Sequence, residues 1–128
     1  MARVVAFVPD LLFGSTVVGA LSAAGHEPVL ASDAGALAAA LPGAQLLIVD
    51  LTYDVDERIA LVSEARPEGL KILAFYSHVE ADVRDRGLQA GFDLVIPRSR
   101  MAREGATLID RLLSQAPGAE QEAGDGAP

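Results

Sequence analysis

Residues 46–49 read LLIV, four apolar side chains in a row that run straight into Asp50. Successive side chains of a strand point to opposite faces, so a run that is apolar at every position needs cover on both. Such a segment belongs at the centre of a helix-covered parallel sheet. The remaining question is what Asp50 does at its end, and why Asp54, Asp56 and Glu57 follow so closely.

Strand-length apolar runs recur along the chain with helix-length segments between them. Residues 3–8 (RVVAFV) predict a first strand, stopped by Pro9-Asp10. Residues 11–24 carry Phe13, Val17, Leu21 and Ala24 at helical spacing, and Gly25 ends them. Residues 28–31 form a short strand whose Pro28 suits a sheet edge. Ser32 or Asp33 can cap a helix over 34–41, which Pro42-Gly43 stops. After the third strand, residues 56–66 continue a stripe of Val55, Ile59 and Val62 up to Pro67 and Gly69. KILAFY (71–76) is a fourth strand, and 79–90 a helix with Glu80 and Asp82 at the positive end of its dipole. DLVI (93–96) is a fifth strand before Pro97, and 100–113 a last helix striped by Met101, Gly105, Leu108 and Leu112. Residues 1–115 therefore predict a single domain, and 116–128 a disordered acidic tail.

Strict alternation with short connections implies an α/β fold, a doubly wound parallel sheet with helices on both faces. Five βα units fit the flavodoxin-like order 2-1-3-4-5, in which ligands bind beyond the carboxyl ends of the strands. The core is aliphatic, since aromatic residues make up only 5% of the 128. A net charge of −8 argues against general nucleic-acid binding, and the absence of cysteine excludes disulfides and thiolate chemistry. The short run after Arg3 is neither a signal peptide nor a membrane span, which makes the cytoplasm the expected compartment. Basic residues are uneven: between Met1 and Glu57 Arg3 stands alone, whereas Arg98, Arg100, Arg103 and Arg111 gather near the end.

Asp10 and Asp50 end the first and third strands, neighbours at the switch point of this topology. Two carboxylates there either bind a divalent cation, in which case they form a weak Mg²⁺ site, or end strands and cap helices. Asp54, Asp56 and Glu57 are expected to cap or lead the third helix. Leu11, Leu12 and Phe13 cannot all face one core, so one or two of them either cover the cleft or form a contact patch, or the run packs inward as a helix staple.

The order of elements, with Asp50 after the third strand, resembles the receiver domain of two-component response regulators over residues 3–113. The resemblance implies that Asp50 is the phospho-acceptor and that Asp10 is one member of an acidic pair, with Pro9 in the other place. It puts Tyr76 where a Thr or Ser is expected, with Ser77 one residue on. Pro97 matches the proline of a Lys-Pro pair, but Ile96 stands in place of the lysine; Arg98, Arg100 and Arg103 are the candidates to take over its role. These departures imply a stand-alone, degenerate pseudo-receiver without enzymatic activity that works through protein contacts. Its partner would be a sensor kinase or a downstream regulator, and residues of the fourth helix, fifth strand and fifth helix suit a homodimer face. The alternative is an Mg²⁺-dependent phospho-accepting regulator using Asp50. A further alternative is a flavodoxin-like protein binding a small anion or nucleotide at Gly14-Ser15. Adjacent Ser77 and His78 diverge in extended chain, which disfavours a nucleophile–base pair; His26 is expected in solvent.

Overall fold

The computed structural model describes residues 2–77 and 81–115. Ten elements alternate: β1 (Arg3–Phe7), α1 (Leu11–Ala23), β2 (Glu27–Ala31), α2 (Ala34–Ala40), β3 (Leu46–Asp50), α3 (Val55–Ala65), β4 (Lys71–Tyr76), α4 (Ala81–Gln89), β5 (Leu94–Pro97) and α5 (Arg98–Leu113). All strand pairs are parallel and the order is β2-β1-β3-β4-β5, the doubly wound arrangement expected from the alternation. The tail expected over 116–128 and His78 lie outside the described residues.

The period of two along each strand sorts the core into two halves. Val5, Phe7, Leu47, Val49, Ile72 and Ala74 face Leu37, Val62 and Val83 of α2, α3 and α4. Val4, Ala6, Leu46, Ile48, Leu73 and Phe75 face Val17 and Leu21 of α1 and Met101, Leu108 and Leu112 of α5. Every residue of β3 is buried, as its unbroken apolar run requires. Pro28 lies on the edge strand, where a missing N–H costs no central ladder bond.

Differences from the sequence reading are local. Helix α5 begins at Arg98 rather than Arg100, because Pro97 (φ −64°, ψ 149°) acts as the residue before the helix and not as a spacer. His26, expected in solvent, has a largely covered ring. Its Nε2 lies 2.6 Å from Asp110 Oδ1 on α5, and its Nδ1 accepts from the Ala2 N–H at 3.4 Å. Gly14 is explained by packing: a Cβ there would stand 3.0 Å from Leu30 Cδ1 and 3.5 Å from the Val8 carbonyl. Its role is thus to let α1 close on β1 and β2, and its N–H donates to the Asp10 carbonyl at 2.8 Å.

Because Ile48 is fully buried at mid-sheet, Ile48→Ala is expected to lower stability by about 2–5 kcal/mol. Urea unfolding should show the midpoint falling with an unchanged m-value.

Candidate functional site

The strand registers bring Phe7 level with Val49, Asp50 level with Phe75, and Tyr76 level with Pro97, so the carboxyl ends of β1, β3, β4 and β5 form one rim. Asp50 is the polar residue that closes β3, and it is 3% exposed. Its Oδ1 accepts from the Thr52 N–H at 2.8 Å and from the Thr52 hydroxyl at 2.6 Å, a turn in which an aspartate bonds the backbone two residues on. Arg58, one turn into α3, approaches the same oxygen. Its Nη1 donates to the Asp50 carbonyl at 2.7 Å and lies 3.8 Å from the Asp50 carboxylate. With the Arg58 side chain only 12% exposed, this is a covered ion pair in which the two charges need one another.

Sequence reading did not find Arg58. The signal was present as the first basic residue after Arg3, set in an acidic stretch eight positions after Asp50, but distance along the chain does not tell that α3 turns it back. The acids of the loop divide. Asp54 precedes α3 in the left-handed region (φ 51°, ψ 47°) and makes no side-chain cap, contrary to the capping expectation. An aspartate tolerates that conformation better than most residues. Asp56 and Glu57 lie in the first turn of α3 as expected, and Asp56 also meets Arg86 of α4 at 2.5 Å.

Asp10 has a separate role. It caps α1, its Oδ1 accepting from the Leu12 and Phe13 N–H groups at 3.0 and 3.2 Å. Its other oxygen lies 3.3 Å from Arg98 Nη2. Arg98 also stacks over Phe13, its Cζ 4.2 Å from the ring centroid, and Phe13 meets Phe75 edge to face at 5.1 Å. The helix N–H groups, Phe13 first, and the Arg98 guanidinium hold the Asp10 carboxyl below its ordinary pKa of 3.8, against a smaller opposing effect of desolvation.

Of the switch-region residues, Tyr76 is buried, Ser77 is half-buried, and Pro97 leads into α5. Ile96, which the resemblance sets in place of a lysine, is 1% exposed and packs in the same apolar half as Phe75. The structure therefore joins Asp10 with Arg98 and Asp50 with Arg58. Among the described residues no group of three or more His, Asp or Glu side chains is placed to hold a metal ion.

No family model and no curated protein matches the sequence. Solved structures do match. A response regulator from Thermotoga maritima superposes with TM-score 0.77 at 18% identity, covering 90% of this chain and 99% of that one. The non-phosphorylated HemR receiver domain from Leptospira biflexa gives 0.75 at 18% identity, over 91% and 97%. NtrX from Brucella abortus, solved with ADP, gives 0.77 at 20% identity; it covers 97% of this chain, which spans 28% of NtrX. The chain has the receiver fold, the five-unit βα arrangement of these proteins.

Removing Arg58 leaves the buried Asp50 charge without its cation, held by Thr52 alone. Arg58→Met should cost about 3–5 kcal/mol in chemical denaturation, and adding Asp50→Asn should recover part of the loss in a double-mutant cycle. At Asp10 the sign runs the other way from a raised group. Its depressed folded pKa contributes stability that is present above pH 3.8 and lost as pH falls through the lower folded value. Carboxyl NMR titration of Arg98→Ala should move the Asp10 midpoint part of the way up, still below its ordinary value, because the helix N–H donors remain.

Proposed function

We propose that this chain is a receiver-type regulatory module in signal transduction that acts through protein contacts, with Asp50 withheld from efficient phosphoryl transfer. The observation that carries this reading is the setting of Asp50 Oδ1. Thr52 donates to it twice, and Arg58 stands 3.8 Å from the same oxygen with its guanidinium anchored on the Asp50 carbonyl. A phosphoryl donor would have to displace a covalently tethered cation that needs no binding equilibrium of its own. The cation that would then neutralise the new phosphate is replaced by buried Ile96. The partner in this reading is a sensor kinase or a downstream regulator.

A second reading is an Mg²⁺-dependent phospho-accepting regulator that uses Asp50. The comparisons support it better than the first, since the similar structures are described as response regulators and receiver domains. Asp50 also stands at the end of β3, where that resemblance puts the acceptor. Arg58 in this reading moves aside on phosphorylation. Self-association through α4, β5 and α5 would be compatible with either, but several of its charges already engage within the chain. Arg100 and Arg103 both meet Glu104, and Arg86 meets Asp56 and Asp82.

Beryllofluoride with Mg²⁺, an aspartyl-phosphate mimic, separates the two. Under the first reading the amide resonances of residues 50–52 and 76 stay in place at millimolar beryllofluoride. Saturable shifts that vanish in Asp50→Asn would establish the second reading instead.

A further inference from the structure

Helices α1 and α5 are neighbours on one face of the sheet, and each turns its large residues inward: Val17 and Leu21 from α1, Met101, Leu108 and Leu112 from α5. Where the helices meet, the side chains are small. Thr16 and Ala20 on α1, with Ala102, Gly105 and Ala106 on α5, border a partly open cavity of about 110 Å³. Space of this size is uncommon in a close-packed fold, because the atoms around it forgo dispersion contacts. Gly105 shows how α5 is arranged there. A Cβ would stand 3.0 Å from Met101 Cε and 3.1 Å from its Sδ, so the methionine folds back along its own helix over the glycine.

The lining sets the chemistry of an occupant. Leu21 and Ile109 are fully buried and close the floor. The Thr16 hydroxyl donates to the Leu12 carbonyl at 3.2 Å, and no side chain of the lining holds a buried N or O atom without a partner. Water therefore finds nothing to bridge, and an apolar group is the better guest. Two residues of the lining favour an aromatic ring. Phe13 offers its own ring, already edge to face with Phe75. Met101 offers a polarisable thioether on a flexible side chain that can yield to a guest. The charge that borders the cavity is positive: Arg103, with its side chain 66% exposed and its Nη2 in a long contact of 3.6 Å to Glu104. Glu104 is outside the lining and also accepts from Arg100.

We propose that the cavity between α1 and α5 is a binding site for a single-ring aromatic carboxylate, its ring against Phe13 and Met101 and its carboxylate at Arg103. The inference goes beyond the reading of Asp50 and does not depend on it, since α3, which carries Arg58, packs on the other face of the sheet.

The test titrates the isotope-labelled full chain with benzoate. Benzyl alcohol keeps the ring without the charge, and acetate keeps the charge without the ring. The expected result is saturable amide shifts at Thr16, Ala20, Ala106 and Ile109 for benzoate in the low-millimolar range or below. Benzyl alcohol should move the same residues with about threefold weaker affinity, the worth of one exposed charge contact, and acetate should leave them in place. Arg103→Gln should bring benzoate down to the level of benzyl alcohol and leave benzyl alcohol unchanged. Ala20→Leu fills the space from the exposed side of α1 and should abolish the shifts, with thermal unfolding showing an intact fold. Absence of saturable shifts, shifts centred elsewhere, or unchanged binding in Ala20→Leu would overturn the proposal. So would equal affinity for benzoate and benzyl alcohol, which would make the site apolar only. The same shifts from acetate would make it an anion contact of Arg103, and that too would overturn it. Should Ala20→Leu fail to fold, Arg103→Gln decides alone.

Discussion

Burial of β3 on both faces is the constraint on which the rest of the structure depends. Leu46 and Ile48 complete the half of the core closed by α1 and α5; Leu47 and Val49 complete the half closed by α2, α3 and α4. A strand apolar at every position cannot sit at an edge or face water, so it draws a parallel strand to each side and a layer of helices onto each face. The same burial decides the setting of Asp50. Chain continuity delivers its carboxylate to the rim of the sheet with only 3% exposure, where an uncompensated charge is costly.

The protein meets that cost with its own residues. At Asp50 the carboxylate is met by the Thr52 hydroxyl and N–H and by the Arg58 guanidinium charge, while Arg58 donates its hydrogen bond to the Asp50 carbonyl. At Asp10 it is two helix N–H groups and Arg98, in a more open setting where the ion pair itself adds little. Arg98 has a second role, since its stacking on Phe13 continues through the edge-to-face contact with Phe75 into the core. At the strand ends Arg98 reaches across from α5 to Asp10, whereas Arg58 meets Asp50 within the β3–α3 unit, and Ile96 and Phe75 are buried in the core half closed by α1 and α5. Among the described residues, the large apolar side chains that reach solvent are Leu11, Leu12 and Tyr53.

Much of this was legible beforehand, for identifiable reasons. Glycine and proline punctuation marked most of the element ends, as at Gly25, Gly43, Gly69 and Gly91, all with positive φ. Where punctuation is ambiguous the reading slipped: Pro97 looks the same in sequence whether it ends a strand or precedes a helix. Asp50 was placed correctly at a strand end, whereas Asp10 lies three residues past β1 as the cap of α1, and the partners of neither were foreseen. Arg98 was foreseen near the cleft, whereas its choice of Asp10 and Phe13 depends on how α5 leans on α1. His26 was misplaced because its cover, Asp110, comes from the far end of the chain.

What the sequence by itself determined is the architecture and the position of the aspartates. Both follow from local periodicity and chain order, which act over a few residues at a time. Only the tertiary structure decided the chemistry of the rim. Whether a carboxylate faces a cation, a metal or water depends on groups eight to eighty-eight residues away, such as Arg58 for Asp50 and Arg98 for Asp10. Those encounters are set by helix packing against the sheet, and no pattern along the chain encodes the direction from which a side chain arrives.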